Sequence, residues 1–119
     1  MAESAARVIC ASSALVERGL AVRFTVTDAN GEQRPALAVR YMGRVYAYLN
    51  ACQHIPVELD LQDGNVFDLS GHYLVCSMHG ALYEPNTGRC VGGPCRGRKL
   101  TALPVHEADD LIWLDTGTV

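Results

Sequence analysis

No stretch of this sequence is long and apolar enough to cross a bilayer. The nearest candidate, Val8 to Val22, is interrupted by Glu17-Arg18-Gly19, and no segment has the layout of a signal peptide. The reading is therefore no membrane span and a cytoplasmic location. Basic residues are not in excess: 10 Lys and Arg stand against 13 Asp and Glu, a net charge of −3. A nucleic-acid binder needs a basic surface, so that class is set aside, while mild acidity is compatible with docking on a basic protein surface. Charged residues are only 19% of the chain and hydrophobic ones 49%, the balance of a folded globule. No internal repeat and no low-complexity segment is present. With 119 residues, one core can be buried but not two, so a single domain over 1–119 is expected, with no room for a further catalytic domain. The cysteine count is five, an odd number that argues against a fully paired disulfide framework. In a reducing compartment such cysteines read as metal ligands plus free thiols.

What is present is strand after short strand. Val8-Ile9-Cys10 predicts a first edge strand, and Ser12 to Arg18 a short helical turn. Ala21 to Thr27 alternates with a period of two, placing Val22, Phe24 and Val26 on one face and Arg23, Thr25 and Thr27 on the other. Asp28-Ala29-Asn30-Gly31 is a turn. Pro35 to Tyr41 and Val45 to Leu49 are two further strands around a tight connection at Met42-Gly43-Arg44. Tyr73 to Cys76 is a short strand, and Pro85-Asn86-Thr87-Gly88 a turn ahead of Arg89-Cys90-Val91. Leu100 to His106 and Leu111 to Leu114 form a final hairpin turning at Ala108-Asp109-Asp110. Short strands at regular intervals with turn chemistry between them indicate an all-β antiparallel sandwich or barrel.

Two segments stand out from this scaffold: Cys52-Gln53-His54 and Cys76-Ser77-Met78-His79. Each offers one thiolate and one imidazole, and together they make a set of two sulfurs and two nitrogens. Spacing alone permits a closed Cys2His2 zinc site, because zinc takes two sulfur and two nitrogen ligands tetrahedrally. The tight CxH, and the Gly80-Ala81-Leu82-Tyr83 and Gly92-Gly93-Pro94 stretches downstream, favour a two-iron cluster instead.

The pattern resembles the Rieske iron–sulfur domain, whose motif is CxH followed by CxxHG. The resemblance spans most of the chain and is densest from Asn50 to Gly97, through NACQHIPVELD and then CSMHGALYEPNTGRCVGGPCRG. It is nearest to small stand-alone Rieske proteins related to oxygenase ferredoxins. The resemblance implies a β base carrying a small cluster-binding subdomain of two loops, over about 50–97. It implies one [2Fe–2S] cluster, with Cys52 and Cys76 on one iron and His54 and His79 on the other. Neutral imidazole in place of thiolate removes negative charge and raises the reduction potential. Gly80 would let backbone amides approach the sulfides, Tyr83 matches an aromatic position near the cluster, and Gly92-Gly93-Pro94 matches the loop that shields it.

Departures from the family pattern carry their own implications. Respiratory-chain members hold the two loops together with an extra cysteine pair; Val57 and Met78 stand at those places here. Those members also carry a serine two residues after the second histidine, where this chain has Ala81, and the lost hydroxyl donor implies a midpoint in the lower part of the Rieske range. The segment from Ile55 to Val75 is longer than is common in oxygenase ferredoxins.

The resemblance implies a one-electron carrier without a small-molecule substrate site. Its donor would be a flavin-dependent reductase and its acceptor an oxygenase component. The alternative is a small Rieske subunit attached to a reductase large subunit, as in nitrite reductase assemblies. Outside the ligand set, Cys10, Cys90 and Cys95 read as small buried or half-buried thiols, with a Cys90–Cys95 pairing the less favoured option. His72 and His106 read as surface or edge residues, and Trp113 as core packing. Arg96, Arg98 and Lys99 form a basic run beside the expected cluster tip.

Overall fold

The computed structural model describes residues 6–50, 66–76, 80–93 and 97–115. Among these, ten strands and one 3-10 turn appear: β1 (Arg7–Ala11), η1 (Ser12–Ala14), β2 (Val22–Thr27), β3 (Gln33–Tyr41), β4 (Arg44–Leu49), β5 (Leu74–Val75), β6 (Leu82–Tyr83), β7 (Cys90–Gly92), β8 (Ala102–Leu103), β9 (Val105–Ala108) and β10 (Leu111–Leu114). They form three antiparallel sheets: an outer sheet β1-β10-β9, a middle sheet β2-β3-β4-β8 and a third sheet β5-β6-β7. The all-β antiparallel reading of the sequence is therefore correct. No helix among the described residues is long and apolar enough to cross a membrane.

The middle sheet explains why β3 does not alternate apolar with polar. Its Leu37 and Val39 pack towards the third sheet, in one core with Tyr48, Val66, Leu74, Cys76, Ala81, Tyr83, Cys90 and Leu100. Its Ala36 and Ala38 face the other way, into a second core with Val26, Ala47, Leu103, Ile112 and Leu114. A strand covered on both faces reads as a continuous apolar run. Small alanines on one face and larger side chains on the other set how closely each neighbouring layer approaches. Each fully buried Leu, Val or Tyr contributes about 1.5–3 kcal/mol, against about 1 kcal/mol for a single hydrogen bond. Apolar packing therefore holds the layers together, and hydrogen bonds fix their register.

Several boundaries differ from the sequence reading. The helical turn is three residues long and ends at Ala14, short of Arg18. The stretch read as one strand from Leu100 to His106 is split at Pro104: β8 pairs with β4 in the middle sheet and β9 pairs with β10 in the outer one. Proline has no N–H to donate to a ladder, and here the chain changes sheets at that residue. β6 is only two residues long and had no periodic signal to find. β1 is an edge strand, as read, and its partner is β10 at the far end of the chain. Ile112 and Leu114 are fully buried, but Trp113 lies on the opposite face, half-buried and stacked on His106 at 6.3 Å. The expectation that Trp113 packs in the core is corrected accordingly.

One side chain binds the outer sheet to the middle one. Arg40, on β3, makes a bidentate pair with Glu107 on β9 at 2.8 and 3.0 Å. Its remaining donors reach the Leu15 carbonyl at 2.8 Å and the Ser12 carbonyl at 3.2 Å.

Candidate metal centre

The middle sheet delivers the chain to the first ligand segment. β4 ends at Leu49, whose N–H donates to the Thr101 carbonyl at 2.9 Å. Asn50 follows, fully buried, with its backbone N–H on the Pro35 carbonyl at 2.9 Å. The last described residue before the CxH segment is thus fixed to the base by backbone bonds. The chain is next described at Val66, also fully buried, whose carbonyl accepts the N–H of Val75 at 2.7 Å. Val75 immediately precedes Cys76. The chain between the two segments thus folds back on itself immediately before Cys76.

The second segment is closed at its shoulders. Cys76 N–H donates to the Ala81 carbonyl at 2.9 Å, and Gly80 N–H to the Cys76 carbonyl at 2.8 Å. Gly80 sits at φ +71, and none of the described residues comes within 4 Å of where its Cβ would stand, so the backbone conformation calls for glycine there. Its own amide is committed to the Cys76 carbonyl. The expectation that glycine at this place lets amides approach the sulfides therefore does not extend to the Gly80 N–H itself.

Cys76 is 1% exposed and not in a disulfide, among Val66, Leu74, Ala81 and Tyr83. Cys52, His54 and His79, the other three expected ligands, lie outside the described residues, as do Val57, Met78, Cys95 and Arg96. Among the described residues no three metal-ligating side chains converge. Tyr83 is completely buried beside Leu74, its partner across the ladder.

The Gly92-Gly93 stretch meets the second segment directly. A Cβ on Gly93, at φ +86, would stand 2.9 Å from the Ala81 Cα and 3.3 Å from the Ala81 nitrogen. Backbone lies on backbone here, and only glycine satisfies both the angle and the space. The strand before this loop carries Cys90, whose sulfur is disulfide-bonded. That corrects the favoured reading of Cys90 as a thiol; a bridge at Cys90 is the less favoured option of the sequence reading, and Cys95, the partner it names, lies outside the described residues. Cys10, by contrast, is half-buried and unbridged. Burial pushes its thiol pKa up, partly offset by the nearby Arg40 guanidinium.

Tyr48 ties this arrangement to the base. Its hydroxyl donates to the Pro85 carbonyl at 2.8 Å, inside the protein, and burial pushes the phenol pKa well above its usual value. At the far end of the middle sheet, Glu17 accepts the Met42 and Gly43 amides at 2.5 and 2.9 Å. Those amide bonds, from Gly43 first, hold its carboxyl below the usual range.

The family model of the Rieske [2Fe–2S] domain matches residues 6–107. The chain belongs to the Rieske [2Fe–2S] domain family. Its cofactor is accordingly one Rieske-type [2Fe–2S] cluster. The described part of the site fits that group: a buried, unbridged thiol stands in a closed turn, with a backbone-packed glycine loop against it.

Solved structures share the Rieske fold at low identity. The ferredoxin of carbazole 1,9a-dioxygenase from Nocardioides aromaticivorans IC177 is 22% identical, with a TM-score of 0.73 over 95% of this chain and 99% of that one. The terminal oxygenase of carbazole 1,9a-dioxygenase from the same organism is 20% identical, also with a TM-score of 0.73, over 97% of this chain. This Rieske chain spans only 31% of that oxygenase chain. A complex of reduced oxygenase and oxidized ferredoxin in carbazole 1,9a-dioxygenase gives a TM-score of 0.71 at 20% identity, over 98% of this chain and 96% of the matched one. None of the curated proteins matches this sequence significantly.

Proposed function

We propose that this Rieske chain is a one-electron carrier, a single cytoplasmic domain with no catalytic site of its own, in which Cys52, His54, Cys76 and His79 hold the cluster. The observation that carries the reading is the Rieske [2Fe–2S] family match over residues 6–107, a span that takes in all four positions. The Val75-to-Val66 hydrogen bond at 2.7 Å supports it by closing the chain between the two segments into a hairpin that ends at Cys76. A bound cluster supplies a one-electron couple between the Fe(III)/Fe(III) and Fe(III)/Fe(II) states.

The protein's own residues serve that couple in three ways. Burial of Cys76 keeps water from its sulfur. The paired shoulders at 76 and 80–81 hold the second ligand segment at fixed length. Gly93 allows its own backbone to lie directly on Ala81. Ala81 carries no hydroxyl to donate to the cluster, which supports a midpoint in the lower part of the Rieske range, roughly −150 to +300 mV.

The partners of this reading are a flavin-dependent reductase as donor and an oxygenase component as acceptor. The likeness to a ferredoxin that forms a complex with an oxygenase supports the acceptor's class. The test is reconstitution: purified holoprotein added to a ferredoxin-free reductase and oxygenase pair. The expected result is product formation that depends on this chain. Failure to oxidise the reductase or reduce the oxygenase, with the cluster intact, overturns it.

A further inference from the structure

We infer that the hairpin beneath the Gly92-Gly93 loop is a docking surface for an acidic face on a redox-partner protein. Residue 89 pairs with residue 99 in an antiparallel bridge, so Arg89 and Lys99 stand directly opposite each other on one face. Both are exposed. Like charges opposite one another across a ladder are destabilising, and among the described residues neither side chain has a carboxylate partner. The nearest carboxylate, Glu84, lies across the hairpin from Arg89, its N–H on the Arg89 carbonyl at 2.9 Å, but its side chain bonds the Thr87 hydroxyl at 2.6 Å and makes no ion pair with Arg89. The row Glu84, Arg89, Lys99 thus carries two cations against one carboxylate, a locally basic face on a chain whose net charge is −3.

The position matters as much as the charge. Arg89 lies four residues before Gly93, about 13 Å at the rise of a strand, and Gly93 packs on Ala81. A partner drawn to this face is held on the strand that leads to Gly93, within about 13 Å of it. An exposed basic patch on an acidic molecule orients the encounter as well as attracting it. The redox nature of the partner rests on the electron-carrier reading; the acidity of its face rests on Arg89 and Lys99 alone.

The test uses reduced holoprotein and two protein acceptors of opposite charge, plastocyanin (acidic) and cytochrome c (basic), followed by stopped flow at low ionic strength. Charge reversal in the R89E/K99E double variant is expected to slow oxidation by plastocyanin about tenfold or more and to remove its salt dependence. It leaves oxidation by cytochrome c as fast or faster, and R89Q/K99Q falls between. An unaltered visible spectrum in both variants shows that the cluster site is intact. Equal rates with plastocyanin for all three proteins overturn the proposal.

A measurement that involves no electron transfer separates this surface from the carrier reading. Cadmium-substituted plastocyanin, which is redox-inert, is titrated into the holoprotein by NMR. Amide shifts centred on residues 89 and 99 support the surface even if the carrier reading fails. Shifts elsewhere, or equal shifts with a DNA duplex, overturn it.

Discussion

The hydroxyl of Tyr48 donates to the carbonyl oxygen of Pro85 at 2.8 Å, within the protein interior. Tyr48 belongs to the middle sheet, and Pro85 to the turn that joins β6 to β7 in the third sheet. The bond fixes the position of the sheet that carries Cys76 relative to its base. Tyr48→Phe keeps the ring and leaves a buried carbonyl without its donor. It is expected to lower unfolding stability by about 1–3 kcal/mol in urea titration. An unchanged midpoint of unfolding would show that the bond adds nothing.

Gly93→Ala tests the close approach to Ala81. The added methyl meets backbone at 2.9 Å, whereas at Gly97 a Cβ would meet none of the described residues within 4 Å, at a similarly positive φ of +92. Both substitutions incur the backbone strain of about 1–3 kcal/mol. Only Gly93→Ala also displaces the loop from the second ligand segment. Its holoprotein is expected to bleach several-fold faster than Gly97→Ala under the same conditions, read from visible absorption. Equal bleaching rates would mean that the contact does not protect the site.

The pair of Arg40 with Glu107 gives a pH signature. The guanidinium hydrogen bonds lower the Glu107 pKa from 4.5 to about 2. A carboxylate with a depressed folded-state pKa binds protons more readily in the unfolded chain. Its contribution is complete above about pH 5 and is lost as pH falls towards 2. Glu107→Gln is therefore expected to flatten the stability profile between pH 5 and 2, measured by denaturant unfolding at each pH. Arg40→Lys, which cannot keep the bidentate geometry, is expected to lower the thermal midpoint at neutral pH. An acid profile unchanged by Glu107→Gln would contradict this assignment.

Cys90 gives a chemical prediction. Its sulfur is bridged, so iodoacetamide is expected to alkylate Cys90 only after reduction and unfolding, as read by peptide mass mapping. Alkylation of unfolded but unreduced protein at Cys90 would refute the bridge.

What the sequence made legible followed from local physics. The alternation of Val22, Phe24 and Val26 marked β2, and Met42-Gly43 marked the tight turn before β4, because these signals lie within a few neighbouring residues. Pro104 also carried its signal, but where the chain changes sheets depends on which strands lie nearby, and that is not local information. Trp113 was misplaced for the same reason: alternation gives two faces without saying which is covered. At the site, the CxH and CxxHG spacing spoke for the cluster ligands. The packing of Gly93 on Ala81 and the Tyr48–Pro85 bond join residues distant in sequence. The cysteine count could not reveal the bridge at Cys90, because an odd total excludes only complete pairing.

The central claim is that Cys52, His54, Cys76 and His79 hold one [2Fe–2S] cluster. EPR of the dithionite-reduced protein, with iron, sulfide and zinc analysis of the same sample, tests it most directly. The account predicts about two irons and two sulfides per chain and a Rieske-type signal. Serine at Cys52 or Cys76, or alanine at His54 or His79, is each expected to abolish that signal. A colourless protein with one zinc per chain and no signal, or a signal that survives all four substitutions, would contradict it.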